Sequence, residues 1–163
     1  MNEYLTSFLS LFLIQENQLI LMFLSAFLSA TILPGNSEVI FSTIATQALI
    51  SDPNLFSDTL FWLLLTATFG NSLGSLTTYF MAQIFPQPKL SEKQHKSVQF
   101  ALKFSEKYGI WVLLLSWLPV IGDLFCAIAG WLRFNLWKSM LLITLGKGIR
   151  YALLLWSIYL VVA

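Results

Sequence analysis

The stretch Leu33-Pro34-Gly35-Asn36-Ser37-Glu38 interrupts a nearly all-apolar run, and Leu118-Pro119-Val120-Ile121-Gly122-Asp123 interrupts another later in the chain. In each, a proline removes a backbone donor, a glycine permits a turn, and a carboxylate follows. An acid inside an apolar run of membrane length is expensive, and such residues are by default tied to function.

The chain around these breaks is built for lipid. Of its 163 residues 57% are hydrophobic, 15% aromatic and 10% charged, with a mean hydropathy of +0.75. The formal net charge of +1 matters less than where the charges fall. Met1 to Pro88 holds no Lys or Arg, while Glu3, Glu16, Asp52 and Asp58 lie in its polar breaks. Five lysines, Lys89, Lys93, Lys96, Lys103 and Lys107, crowd one connector, which the positive-inside tendency places in the cytoplasm. The N-terminus lacks a basic n-region and a small-residue cleavage site, so it reads as retained. The single cysteine, Cys126, excludes an internal disulfide and a thiolate metal cage and reads as apolar packing.

Length sorts the apolar runs. A hydrocarbon core of about 30 Å takes roughly 20 helical residues at about 1.5 Å each. Leu19 to Leu33 would be about 22 Å long and Val39 to Ile50 about 18 Å, so neither spans alone. Joined as one helix they would carry Pro-Gly in the interior and far exceed what tilt absorbs. A re-entrant hairpin over 19–50, tipped by Pro34 and Gly35, fits both facts. Residues 59–85 are long enough to cross and end at Pro86-Gln87-Pro88. Ser91-Glu92-Lys93-Gln94 reads as a capping box opening a basic helix in the connector 86–109, with Gly109 as its stop. Its lysines suit anionic lipid at the headgroup level, or a solvated connector that fixes orientation. Residues 110–132 repeat the short-arm pattern, with Pro119 and Gly122 at the tip, and 139–163 form a second crossing.

The expected fold is therefore an all-α integral membrane protein. Residues 1–18 form an N-terminal apolar or interfacial segment, and 19–163 form one membrane domain with two inverted re-entrant hairpins, two full crossings and a basic cytoplasmic helix. The hairpins enter from opposite faces, the topology of an inverted repeat. Thr68-Phe69-Gly70-Asn71-Ser72-Leu73 matches Thr144-Leu145-Gly146-Lys147-Gly148-Ile149 in character along the two crossings.

The polar residues allow two readings. Glu38 and Asp123 sit where the second arm of each hairpin begins, and an acid there caps helical amides and suits the dipole. Alternatively they meet Lys147 and Arg150, cations deep in the second crossing, next to Asn36, Asn71, Ser72, Thr68 and Thr144. Such a cluster holds an anionic headgroup, relays a proton, or closes on itself as a structural ion-pair network. Gly70, Gly74, Gly146 and Gly148 permit close helix packing or local unwinding. His95 has no second histidine and reads as solvated. Trp62, Trp111, Trp131, Trp137 and Trp156 lie near helix ends, as in an interfacial belt. There is no metal-binding His-Glu-x-x-His, no Gly-x-Ser-x-Gly turn and no phosphate-binding glycine loop. The reading is therefore of no enzyme, no metal, no cofactor and no nucleic-acid partner.

Leu33-Pro34-Gly35-Asn36-Ser37, Gly70-Asn71-x-x-Gly74, Leu115-Ser116-Trp117-Leu118-Pro119 and Ala129-Gly130-Trp131 resemble the DedA superfamily, the SNARE-associated or VTT-domain membrane proteins, and within it the short YqaA branch. The resemblance runs from about Ser25 to Tyr151. It implies facing re-entrant hairpins, a multi-pass protein of the bacterial inner membrane, and translocation of polyprenyl phosphates or phospholipids between leaflets, in some members with protons. The chain departs from the wider pattern at Asn36, where an aspartate is usual. Ser116 and Gly122 replace two arginines, and the usual glutamate falls near Leu24. Glu38, Asp123, Lys147 and Arg150, with Asn36, Asn71 and Ser72, are the substrate or proton path in this reading, and membrane lipids with anionic headgroups are the expected partners. The alternatives are a proton-coupled transporter of a small solute and a non-transporting membrane scaffold. Substrate identity and homo-oligomer formation stay open.

Overall fold

The computed structural model describes residues 15–31, 36–84, 96–119 and 121–162, and every element among them is a helix. In chain order these are α1 (Gln15–Thr31), α2 (Asn36–Ser51), α3 (Asp58–Ile84), α4 (Lys96–Tyr108), a 3-10 helix (Gly109–Trp117), α5 (Ile121–Trp131) and α6 (Leu136–Val162). Pro34, Gly35, the capping box, His95, Lys89, Lys93, most of the N-terminal segment and the side chains of Asn36 and Lys96 lie outside the described residues.

Length separates the helices into two kinds. At about 1.5 Å per residue, α3 and α6, with 27 residues each, run about 40 Å. The arms α1, α2 and α5 have 17, 16 and 11 residues and fall short of a bilayer core of about 30 Å. By length and apolar composition together, α6 is the one helix among the described residues that qualifies as a membrane span. α3 has the same length as α6. Thr66, Thr68, Asn71, Ser72, Ser75, Thr77 and Thr78 are what dilute its apolar character.

The arms fold back in pairs. Ser29 near the end of α1 donates a hydrogen bond to Ser37 at the start of α2, Oγ to Oγ 2.8 Å. At the far ends of the same two helices, Gln18, Gln47 and Ser51 line one cleft of about 650 Å³ together with Asp52, Ser57 and Thr59. The start of α1, the end of α2 and the start of α3 therefore share one end of the molecule. The 3-10 helix and α5 make the second pair, turned at Leu118 and Pro119. Leu118 is extended at φ −69°, ψ 133°, as the residue before a proline must tend to be, and Gly122 N–H donates to its carbonyl at 3.0 Å. This pair opens and closes at the opposite end, where Tyr79 Oη of α3 donates to the Phe134 carbonyl just before α6 at 2.6 Å.

The first arm of the second pair is 3-10 where the sequence suggests an ordinary helical arm. Gly109 at φ +61° ends α4, as its position predicts, and Pro119 removes the donor ten residues on. Nine residues of 3-10 helix rise about 18 Å, against about 14 Å for α-helix, so a short segment reaches deeper. α5 closes with a Schellman arrangement in which Phe134 N–H donates to the Ala129 carbonyl at 3.0 Å and Arg133 N–H to the Gly130 carbonyl at 3.1 Å. Arg133 holds the left-handed position at φ 51°, where glycine is usual.

The pairs pack with an exchanged symmetry. α1 lies on α3 and the 3-10 helix on α6, while α2 crosses to α6 and α5 to α3. The sequence-matched glycines serve matched contacts. A Cβ on Gly70 would meet the Phe23 carbonyl oxygen of α1 at 2.7 Å, and one on Gly146 would collide with Ser116 Oγ of the 3-10 helix. α3 and α6 remain helical through these glycines, so the residues serve close approach and not unwinding.

Two apolar cores result. Met22, Ala26, Phe41, Leu49, Leu60, Leu63, Tyr151 and Leu155 form one around the α1–α2 pair. Tyr79, Leu113, Phe125, Cys126, Ile128, Leu142 and Ile143 form the other around the 3-10 helix and α5. The outside is apolar as well: Leu141, Leu145, Ile149 and Leu153 are exposed at four-residue steps along α6. Apolar outside with polar groups buried within is the arrangement a lipid solvent favours.

Candidate functional site

Between the two cores lies a polar layer. Asn71 is the middle residue of α3, thirteen from Asp58 and thirteen from Ile84, and Lys147 and Arg150 bracket Ile149, the middle residue of α6. Thr68, Asn71, Ser72 and Ser75 are spaced i, i+3, i+4, i+7 and so share one face of α3. The first turns of α2 and α5 bring Glu38 and Asp123 to this layer.

The four charges form two pairs. Lys147 Nζ donates to Asp123 Oδ1 at 2.5 Å, and its side chain is fully buried while that of Asp123 is 23% exposed. Asp123 Oδ1 also accepts from Ser75 Oγ of α3 at 3.3 Å, which joins three helices at one oxygen. Arg150 Nε donates to Glu38 Oε1 at 2.6 Å, and its Nη2 contacts the same oxygen. Here the side chains are 10% and 34% exposed. Each hairpin thus sends one carboxylate to α6, and these bonds run between helices, beyond anything the capping of a carboxylate's own helix accounts for. Both cations come from one helix because residues three apart share a helical face.

A neutral chain runs alongside. Asn71 Nδ2 donates to Tyr151 Oη at 2.8 Å, Tyr151 Oη donates to Ser37 Oγ at 3.1 Å, and Ser29 Oγ completes the contact with Ser37. Four helices meet through three hydroxyls and an amide. Ser37 thereby links the start of α2 to α6. Thr68 Oγ1, Asn71 Oδ1 and Ser72 Oγ are buried without a partner among the described residues. Unanswered polar atoms inside an apolar environment are costly, so such positions call for water or a ligand. Tyr151, Ser75 and Ser29 are the members that motif reading missed. The helical spacing of 68, 71, 72 and 75 was the available signal for Ser75. Tyr151 closes the run Gly146-Lys147-x-x-Arg150-Tyr151, but nothing in the run gave its hydroxyl this role.

This chain's departures from the wider pattern at Ser116 and Gly122 have a geometric basis. A Cβ on Gly122 would stand 2.5 Å from the Ser116 carbonyl oxygen, and Ser116 is itself fully buried against Gly146. Neither place has room for an arginine. Leu24 is half-exposed on α1. Among the described residues no group of three or more His, Cys, Asp or Glu is disposed to hold a metal ion.

Helices packed around a buried, ion-paired layer, with α6 long and apolar enough to span a bilayer, define an all-α membrane protein domain. The model of the VTT domain matches residues 33–160, and the chain belongs to that family of membrane proteins, the DedA family. It is 53% identical over 149 residues to a Haemophilus influenzae protein described only as uncharacterized, covering 91% of this chain and 92% of the relative. It is 45% identical over 131 residues to the inner membrane protein YqaA of Escherichia coli and to that of Shigella flexneri, covering 80% of this chain and 83% of each. No solved structure matches it significantly.

Proposed function

We propose that this protein is a lipid translocase of the bacterial inner membrane, moving a lipid with an anionic headgroup, a phospholipid or a polyprenyl phosphate, between leaflets. α3 and α6 cross the bilayer. The α1–α2 pair enters from outside and the 3-10–α5 pair from the cytoplasm, where Lys103, Lys107, Arg133 and Lys138 lie by the positive-inside tendency. Glu38, Asp123, Lys147, Arg150, Asn71 and Ser72 line the headgroup path, with the tails left in lipid.

One observation carries this reading: an incompletely satisfied polar layer, with two ion pairs and three unpartnered buried oxygens, lies at the middle of helices whose outer surface is apolar. A closed scaffold would favour complete satisfaction, since each orphan group costs stability and serves nothing. The unpartnered oxygens favour a hydrated path and, through it, passage of a headgroup.

The test is leaflet exchange in vesicles carrying the purified protein and tail-labelled lipid, read by quenching of outer-leaflet label. Exchange above protein-free vesicles for phosphatidylglycerol or polyprenyl phosphate is expected. Background rates for both would overturn the reading.

A further inference from the structure

We propose that the two ion pairs divide the work. Glu38–Arg150 is the pair that opens, Arg150 exchanging its carboxylate for the phosphate of a lipid headgroup, while Asp123–Lys147 stays closed as a fastening of the second hairpin. This rests on the translocation reading above.

The argument is one of release. Lys147 is fully buried, so removing Asp123 would strand an ammonium in a low-dielectric interior. Asp123 is held twice, by Lys147 from α6 and by Ser75 from α3, so its departure would part three helices. Glu38 is a third exposed, and a carboxylate set free there can be hydrated. Its departure costs the first turn of α2 little, because the neighbouring Ser37 is independently tied to Tyr151 and Ser29. Opening at Glu38 is a side-chain rotation, and opening at Asp123 is a helix movement.

The cations differ in the same sense. The Arg150 guanidinium turns Nε and Nη2 toward Glu38, and that edge is the one that takes two oxygens of a phosphate side by side. Lys147 offers a point charge without that geometry. No covalent step is involved. The phosphate and the Glu38 carboxylate are alternative acceptors for the same two donors.

The experiment pairs thermal unfolding in detergent with leaflet exchange of tail-labelled phosphatidylglycerol and, separately, tail-labelled polyprenyl phosphate, using the full chain. Lys147→Met lowers the unfolding midpoint by about 10 °C, since it takes from the partly buried Asp123 carboxylate the cation that ties α5 to α6. Arg150→Gln and the double variant Glu38→Gln/Arg150→Gln stay within about 3 °C of the parent while exchange falls at least about tenfold. Arg150→Lys keeps the midpoint and still loses several-fold of exchange, because it retains charge without the fork. Arg150→Gln as unstable as Lys147→Met, or stable and exchanging at the parental rate, would overturn the division and leave the translocase reading standing. A parent chain inactive toward both lipids would overturn the two together.

Discussion

Asn71 Nδ2 and Tyr151 Oη lie 2.8 Å apart and tie the middle of α3 to α6 inside the polar layer. Tyr151 also donates to Ser37, so one hydroxyl serves two helices besides its own. Tyr151→Phe keeps the ring that packs against Phe41 and removes only the oxygen, leaving two buried polar side chains short of a partner. The expected cost is about 1–3 kcal/mol, or roughly 5 °C in the unfolding midpoint. A midpoint within a degree of the parent would show that the bond is not made.

Gly74 and Gly148 make opposite predictions for one substitution. A Cβ on Gly74 would stand 2.5 Å from the Phe27 carbonyl oxygen and 2.8 Å from Ala30 Cβ, so Gly74→Ala must push α1 off α3. On Gly148 the nearest atom would be Thr68 Cγ2 at 3.6 Å, an ordinary contact. Gly74→Ala is expected to lose about 1–3 kcal/mol through overpacking, and Gly148→Ala to be neutral or to gain up to about 1 kcal/mol from helix propensity. Thermal unfolding of the two variants side by side checks the pair, and equal midpoints would contradict the packing of α1 described here.

Restoring the wider family's arginine makes a third test. Gly122→Arg places a cation where the Ser116 backbone already sits, close to the buried Lys147–Asp123 pair. It is expected to abolish stable accumulation of the protein in the membrane, measured by immunoblot and by detergent gel filtration. A folded, monodisperse Gly122→Arg protein would mean that the turn at Pro119 is looser than the close approach implies.

Much of this was legible in the sequence because it is local. Pro119 marked the second break, run lengths separated arms from long helices, and Glu38 and Asp123 fall in the first turns of α2 and α5 as their spacing indicates. Gly109 ends α4 as its position suggests. The partners were less legible. The sequence offered two acids and two cations as one cluster. Their assignment, Asp123 to Lys147 and Glu38 to Arg150, follows from α5 lying beside α3 and α2 crossing to α6, which no local pattern encodes. The 3-10 form of Gly109–Trp117 was hidden because an apolar run carries no period that separates 3-10 from α-helix. Tyr151 was hidden for a similar reason, since an aromatic in an apolar helix gains its role only from what faces it.

The claim on which the rest depends is that the two arm pairs stop half-way through the bilayer. In a Cys126→Ala background, single cysteines at Val39 and Ile121, beside the two turns, can be challenged in sealed, oriented vesicles with a bulky, impermeant maleimide from each side, with Asn54→Cys and Lys138→Cys as controls. The account predicts that Asn54→Cys labels only from outside, Lys138→Cys only from the cytoplasmic side, and neither tip position from either side. Labelling of Val39→Cys from the cytoplasm, or of Ile121→Cys from outside, would make the arms complete crossings and contradict it.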